Sequence, residues 1–488
     1  MGIVFKQSFS NLVITYFGFA IGAVNTLFLY ARFLSDTYYG LVGVILATSA
    51  ILMPLMALGV PNTMIKFYSG YRDEKSRDGF LALMLFLPLV LILPLGLFSY
   101  MANEAIGGFL GQKNAVVKDY VWHIFLIALA MAYFEVFYSW SRIHMRSVFG
   151  NFMKEIFGRL LIFFLLFAVH WDYITVDTFM MALVGVYLLR TAVMKIYAFS
   201  LRMPRVTLAI PPGVRNILMY SFLIILGGST AVILLEVDKF MINQFIEIEK
   251  VAYYTVAVFI ATVIAVPSRA MHQITYPMTA ALLNKKDGDG LAVLYRKSSL
   301  TLFIVSGLIF ALILLNLGDL YLLLPENYRG GFSIVLLIGL ARVFDALLGN
   351  NNAILYNSDH YRTILWLGIL LAVLTIFLNW VMIPWIGING AALATFIAVF
   401  VYNLLKLLYV RFKLGLQPFS VETFKVVFLL VGVVLLFISI DFPFHPILNI
   451  GLKSLLITAI YTGVLYRFKI SEDIYNLLSG FIGKWVRK

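Results

Sequence analysis

The sequence predicts an all-α polytopic membrane protein of about fourteen transmembrane helices, arranged as two pseudo-symmetric six-helix lobes followed by a C-terminal helix pair. Three observations predict it: an extreme apolar composition, a succession of long unbroken apolar runs, and a regular placement of positive charge between those runs.

Composition comes first. Of the 488 residues, 62% are hydrophobic and 12% charged, and mean hydropathy is +0.95; soluble domains carry about 25% charged residues. Length alone would allow two or three soluble domains, but the apolar runs leave no room for one. There are no cysteines, which excludes a disulfide, a thiolate nucleophile and a cysteine zinc site. The six histidines are scattered, and neither metal nor cofactor is expected. Residues 1–10 carry one lysine and lead into an apolar run too long for a signal-peptide core, so a retained first helix is expected.

A hydrocarbon core of about 30 Å takes roughly 20 apolar residues of helix, and in lipid only helices or closed barrels satisfy the backbone. Runs such as 80–101 and 423–440 are continuous, without the alternation of barrel strands. The predicted spans are 9–31, 40–65, 80–102, 118–141, 156–170, 177–199, 216–237, 250–276, 299–324, 331–356, 363–384, 387–410, 423–441 and 447–466. Trp122, Trp140, Trp171, Trp380 and Trp385 lie near span ends, as interfacial aromatics do.

Lys and Arg accumulate on the cytoplasmic side. With a cytoplasmic N-terminus, 28 of the 37 basic residues fall in or beside inner segments and seven in outer ones, while Arg269 and Arg342 lie within spans. One missed span would spoil this alternation, so it supports both the count and two cytoplasmic termini. The net charge of +13 is then mainly a topology signal, dispersed over short loops and unsuited to nucleic acid.

The chain also reads as a repeat. Residues 11–65 and 216–270 align at an offset of 205: both begin with Asn, both carry a glycine in the first helix (Gly22, Gly227) and a basic residue near its outer end (Arg32, Lys239), and both place a proline in the inner half of the next helix (Pro61, Pro267). The predicted domains are therefore lobes at 1–205 and 206–416, then two helices and a cytoplasmic tail at 417–488. Parallel six-helix repeats are a transporter plan.

Three stretches carry a family resemblance: Arg32-Phe-Leu-Ser-Asp36-Thr-Tyr-Tyr-Gly40 with Ala57-Leu-Gly-Val-Pro61; Val237-Asp-Lys239-Phe-Met-Ile242 with Val251-Ala-Tyr-Tyr254; and Ile383-Pro-Trp-Ile-Gly387-Ile-Asn-Gly390-Ala-Ala-Leu-Ala-Thr395. Their order from about 7 to 416 resembles the polysaccharide transporter (Wzx-like) flippases of the multidrug/oligosaccharidyl-lipid/polysaccharide (MOP) exporter superfamily. The resemblance implies a fourteen-helix fold and translocation of an undecaprenyl-diphosphate-linked oligosaccharide, a repeat unit of O-antigen, capsule or exopolysaccharide, across the bacterial inner membrane. Alternating access through a cationic central cavity would move it. Implied partners are the lipid-linked cargo, membrane lipids, Na⁺ or H⁺ as coupling ion, and a polysaccharide polymerase complex; a monomer is expected.

A diphosphate crossing hydrocarbon needs cations inside the membrane, where charges are costly and face a cavity or a partner. Arg342, roughly 17 Å into its helix, is a diphosphate candidate or an ion-pair partner of Asp345 at i, i+3. Arg269 beside His272 is an inner anion site or a snorkelling arginine. Arg32 and Lys239, with acidic neighbours Asp36 and Asp238, occupy equivalent outer helix ends, and Lys66 sits near an inner end where cargo arrives. Glu135, the carboxylate deep in the fourth helix, pairs with Lys195 or Arg190, or binds Na⁺ or H⁺ for coupling. Pro54, Pro61 and Pro267 are candidate hinges because each removes a helix hydrogen bond.

No HExxH, GxSxG, Walker A or GxGxxG in a βαβ setting is present, so catalysis is not expected. The rival readings are a cation-coupled multidrug (MATE-like) antiporter, which would rely on buried carboxylates, and a peptidoglycan lipid II flippase. Basic residues outnumber acidic ones deep in the spans, which favours an anionic cargo.

Overall fold

A computed structural model describes the backbone at 2–205, 207, 211–228, 230–476 and 479–480; side chains at 2–6, 8–9, 226–235 and 361, and with them the surroundings of Gly227, lie outside the description. All regular structure among the described residues is helical. Among the described residues, ten helices are long and apolar enough to cross a membrane, or eleven when the bent pair Phe332–Leu347 and Asn351–Asn357 counts as one. The other three predicted spans fall on shorter helices: Gly158–His170, the pair Val214–Gly228 and Thr230–Phe245, and Val421–Phe437.

The chain forms two compact units, 1–255 with 379–388, and 256–378 with 389–488. In the first, helix Val121–Ile143 packs against Asp36–Met56 and Val176–Leu201. Its buried Ala128, Ala130 and Ala132 let backbones approach, as small residues do between membrane helices. Trp140 is fully buried beside Phe199, with Phe134 and Phe80 in the same core, and so is not interfacial. Its ring fills space enclosed near the end of its helix by neighbouring helices of the unit. Trp122, Trp171, Trp380 and Trp385 are exposed.

In the second unit the 35-residue helix Gly288–Leu322 is the hub, contacting Val266–Asn284, Phe332–Leu347, Val421–Phe437 and Pro446–Arg467. Buried Ser299, Ser306, Gly307 and Ala311 line its contacts. Ser306 donates to the Ile264 carbonyl and Tyr461 to the Ile304 carbonyl, both at 3.0 Å.

Several predicted continuous helices are interrupted. The 40–65 run is Asp36–Met56, with Pro54 in its last turn, then a reversal at Leu58 (φ 48°) and Gly59 (φ 66°), then Val60–Phe67 with Pro61 in its first turn. The reversal is held where Gly59 lies against the Ser221 carbonyl and Thr63 shares a 2.7 Å hydrogen bond with Ser221. The 250–276 run breaks at a 3₁₀ turn, Val263–Ala265, and Pro267 opens Val266–Asn284. Proline lacks the N–H that a helix start leaves unbonded, so both prolines begin a helix and do not bend one. The 331–356 run bends by 56° at Gly349 (φ 52°).

Candidate functional site

The bend at Gly349 gathers a cluster of polar contacts in the second unit. Gly349 lies against the Ser299 backbone nitrogen, Ser299 donates to the Leu347 carbonyl at 2.5 Å, and Asn350 donates to Thr279. His272 directs Nε2 to the Gly349 carbonyl at 3.3 Å and lies 5.2 Å, ring to ring, from Tyr276. The predicted Arg269–His272 grouping is thus divided: Arg269 is exposed, while His272 is tied to the bend.

Beside the bend, Lys406 has a side chain only 1% exposed. Its Nζ donates to Asn352 Oδ1 at 2.8 Å, lies 4.2 Å from the Tyr402 ring centroid, and is 3.9 Å from Asp345 Oδ1. Asp345, predicted to pair with Arg342, therefore faces Lys406. Arg342 is half-buried one turn earlier on the same helix. The arrangement buries an ammonium with one neutral acceptor, one ring face and a carboxylate at ion-pair distance but beyond hydrogen-bond reach, so its charge is only partly compensated.

In the first unit the predicted groups separate into local clusters. Asp238 is 3% exposed and accepts hydrogen bonds from the Tyr254 hydroxyl and, at 2.7 Å, from Asn379 Nδ2. Lys239 pairs with Glu236 at 2.8 Å, and not with adjacent Asp238, because successive helical residues point about 100° apart. Arg32 is exposed with its guanidinium 6.0 Å from the Phe28 ring, and Asp36 accepts from Tyr253 at 2.6 Å. Lys66 is exposed and lies 3.8 Å over the Tyr220 ring.

Glu135 pairs with Lys154 at 2.5 Å, in place of either predicted partner. Lys195 points away, exposed, 5.7 Å from the Phe199 ring. Arg190 lies over the rings of Phe134 (4.3 Å) and Tyr187 (4.8 Å) and lines the same cavity as Glu135. Lys154 escaped notice because its helix is locally π-wound over Met153–Phe157, a register that hydropathy does not report. Lys406 had a signal: it interrupts the apolar run Asn403-Leu-Leu-Lys406-Leu-Leu-Tyr409.

On the connections between helices, Arg202 donates to Asp78 at 2.5 Å, with Arg205 3.6 Å from the same carboxylate. Partial burial opposes the Arg202 charge, but the Asp78 bond raises its pKa overall. Partial burial, then the charges of Arg202 and Arg77, lower the pKa of His144.

Similarity to known proteins follows the same architecture. Residues 4–283 match the family described as polysaccharide biosynthesis protein. No curated protein sequence matches significantly. Among solved structures, a lipid II flippase MurJ in an inward closed conformation is similar with a TM-score of 0.73 and 15% identity, covering 94% of this chain and 99% of that one. An inward-facing multidrug resistance MATE family transporter of the MOP superfamily gives 0.64 and 15%, covering 84% and 98%. A MOP superfamily transporter from Pyrococcus furiosus, with a binding pocket of reverse polarity, gives 0.60 and 15%, covering 85% and 95%. At such identities the likeness is one of fold. The family match spans more than half of the sequence, and the chain belongs to the polysaccharide biosynthesis protein family, with the multi-helix membrane fold of MOP superfamily transporters.

Proposed function

We propose that this protein is a flippase that carries an undecaprenyl-diphosphate-linked oligosaccharide across the bacterial cytoplasmic membrane, exposing the cargo to the two faces in turn. Lys406 carries the reading: a buried ammonium whose nearest carboxylate is 3.9 Å away suits a protein that receives an anion. Arg342 and Arg269 would contact the diphosphate, Lys66 would meet it on the inner side, and Arg32 and Lys239 would release it outward. Asp238, buried with two neutral donors, would couple the cycle to Na⁺ or H⁺. The lobes would be 1–205 and 206–416, with 417–488 accessory, both termini cytoplasmic and the chain a monomer.

Deletion of the gene should accumulate lipid-linked oligosaccharide on the cytoplasmic face of spheroplasts, and wild-type protein should clear it. Unchanged export in the deletion strain would overturn the reading. The likeness to a lipid II flippase favours peptidoglycan precursor as the alternative cargo. Rescue of a strain depleted of its own lipid II flippase would move the assignment there.

A further inference from the structure

The cavity that Glu135 and Arg190 line, of about 410 Å³, lies wholly inside the first unit. Six charged side chains line it: Glu135, Lys154, Glu155, Arg159, Arg190 and Glu236. The acids and bases are equal in number, yet the charges do not cancel within the cavity. Glu135 is taken by Lys154 at 2.5 Å and Glu155 by Arg159 at 3.3 Å. Glu236 is taken by Lys239 at 2.8 Å, a residue that does not line the cavity. Arg190 is left with no carboxylate within 4 Å among the described residues.

The donors are unsatisfied as well. Arg190 Nε is buried without a hydrogen-bond acceptor, and buried Arg159 Nη1 lies 3.3 Å from Glu155 Oε2 without a well-aligned hydrogen bond to it. Stacking against Phe134 and Tyr187 fixes the Arg190 guanidinium plane, and a guanidinium held by its faces presents its N–H edge to a planar or tetrahedral oxyanion. Arg159 is held beside it because Gly22 has no side chain: a Cβ there would lie 3.3 Å from Arg159 Nε.

The backbone is specialised at the same place. Two π-helical segments, Val24–Leu29 and Met153–Phe157, adjoin the cavity; the second supplies Lys154 and Glu155, and from the first Asn25 donates to the Arg159 carbonyl at 2.8 Å. Such insertions re-aim side chains and occur frequently at functional sites. The volume falls within the roughly 300–1,000 Å³ of small-ligand sites.

We propose that this cavity is an oxyanion-binding site, with Arg190 and Arg159 as the donors that receive a phosphate or carboxylate group. The site is separate from the Lys406 region and does not depend on which cargo is carried. The anion would come either from the cargo or from an anionic phospholipid headgroup.

The test uses full-length protein carrying R342Q, R269Q and K406M, which removes the anion contacts proposed in the second unit. Pyrophosphate is titrated by calorimetry in zwitterionic-lipid nanodiscs at low salt. Binding should persist in this background and weaken at least about tenfold on adding R190Q, since a charge-assisted bidentate contact is lost. Equal affinity with and without R190Q overturns the proposal. Should R190Q misfold, E236Q replaces it: one negative charge fewer should tighten binding several-fold, and unchanged affinity overturns the proposal. Loss of pyrophosphate binding in nanodiscs containing anionic lipid assigns the site to headgroups, and retention assigns it to cargo. Pyrophosphate binding that survives a failed export test would separate this site from the flippase reading.

Discussion

Lys406 and Asp345 approach to 3.9 Å while Asn352 holds the ammonium at 2.8 Å, so the buried cation is hydrogen-bonded to an amide and only loosely paired with the nearby acid. Removing one partner of a buried ion pair is destabilising by about 3–5 kcal/mol when the other charge stays buried, but Asp345 is 36% exposed, so K406M relieves the burial of the ammonium without stranding a buried carboxylate. K406M should therefore melt at or above the wild-type temperature and yet lose export. Melting of detergent-purified protein and complementation of the deletion strain give the two readings. Full export by K406M would remove Lys406 from the cargo path.

Gly349 and Gly59 both have positive φ and both lie against backbone atoms of another helix. An L residue in that region costs roughly 1–2 kcal/mol, and each added Cβ would also meet those atoms. G349A and G59A should each lower thermal stability, whereas alanine at Gly185, which has open space, should not. Equal melting temperatures for the three would contradict these contacts.

Asp238 holds Tyr254 and Asn379 together. D238A strands a buried hydroxyl and a buried amide and should destabilise by about 1–3 kcal/mol. D238N keeps an acceptor and should fold nearly as well, while export loses its dependence on the Na⁺ or pH gradient. Gradient-dependent export in D238N would place coupling elsewhere.

His144 caps the C-terminus of Val121–Ile143 with its pKa below the usual 6.5, through partial burial and the neighbouring Arg202 and Arg77. A depressed folded-state pKa means that the native state binds the proton less readily than the unfolded chain. Its stabilising effect is present above about 6.5 and is lost as pH falls through the lower folded value. Melting temperature should decline from pH 7 to 5, and H144F, which keeps a ring beside Tyr68, should flatten part of that decline.

Hydropathy made the fold class legible, because apolar runs such as 80–101 have no other physical outlet than lipid-facing helices. Helix interruptions were less so. Pro61 and Pro267 marked the right neighbourhoods, but whether a proline bends a helix or starts one depends on the residue before it, and Gly59 decided that through its contact with Ser221. Charge partners were the least legible. The Glu135–Lys154 pair joins residues 19 apart across two helices, and depth along a helix does not fix the azimuth at which a side chain leaves it. Trp140 shows the same gap, since nearness to a helix end says nothing about which neighbours close over the ring.

The two π segments set the rotational phase of everything beyond them. Each holds one residue more per turn than the α-winding around it, so the downstream part of its helix is turned by about 100° from where uninterrupted winding would leave it. Deleting a single residue from Val24–Leu29 would relax the winding and improve local hydrogen bonding, yet it would swing Arg32 to another side of the helix. Sequence length in these two turns is thus a form of aiming, and loss of one residue there should disturb the structure more than a substitution does.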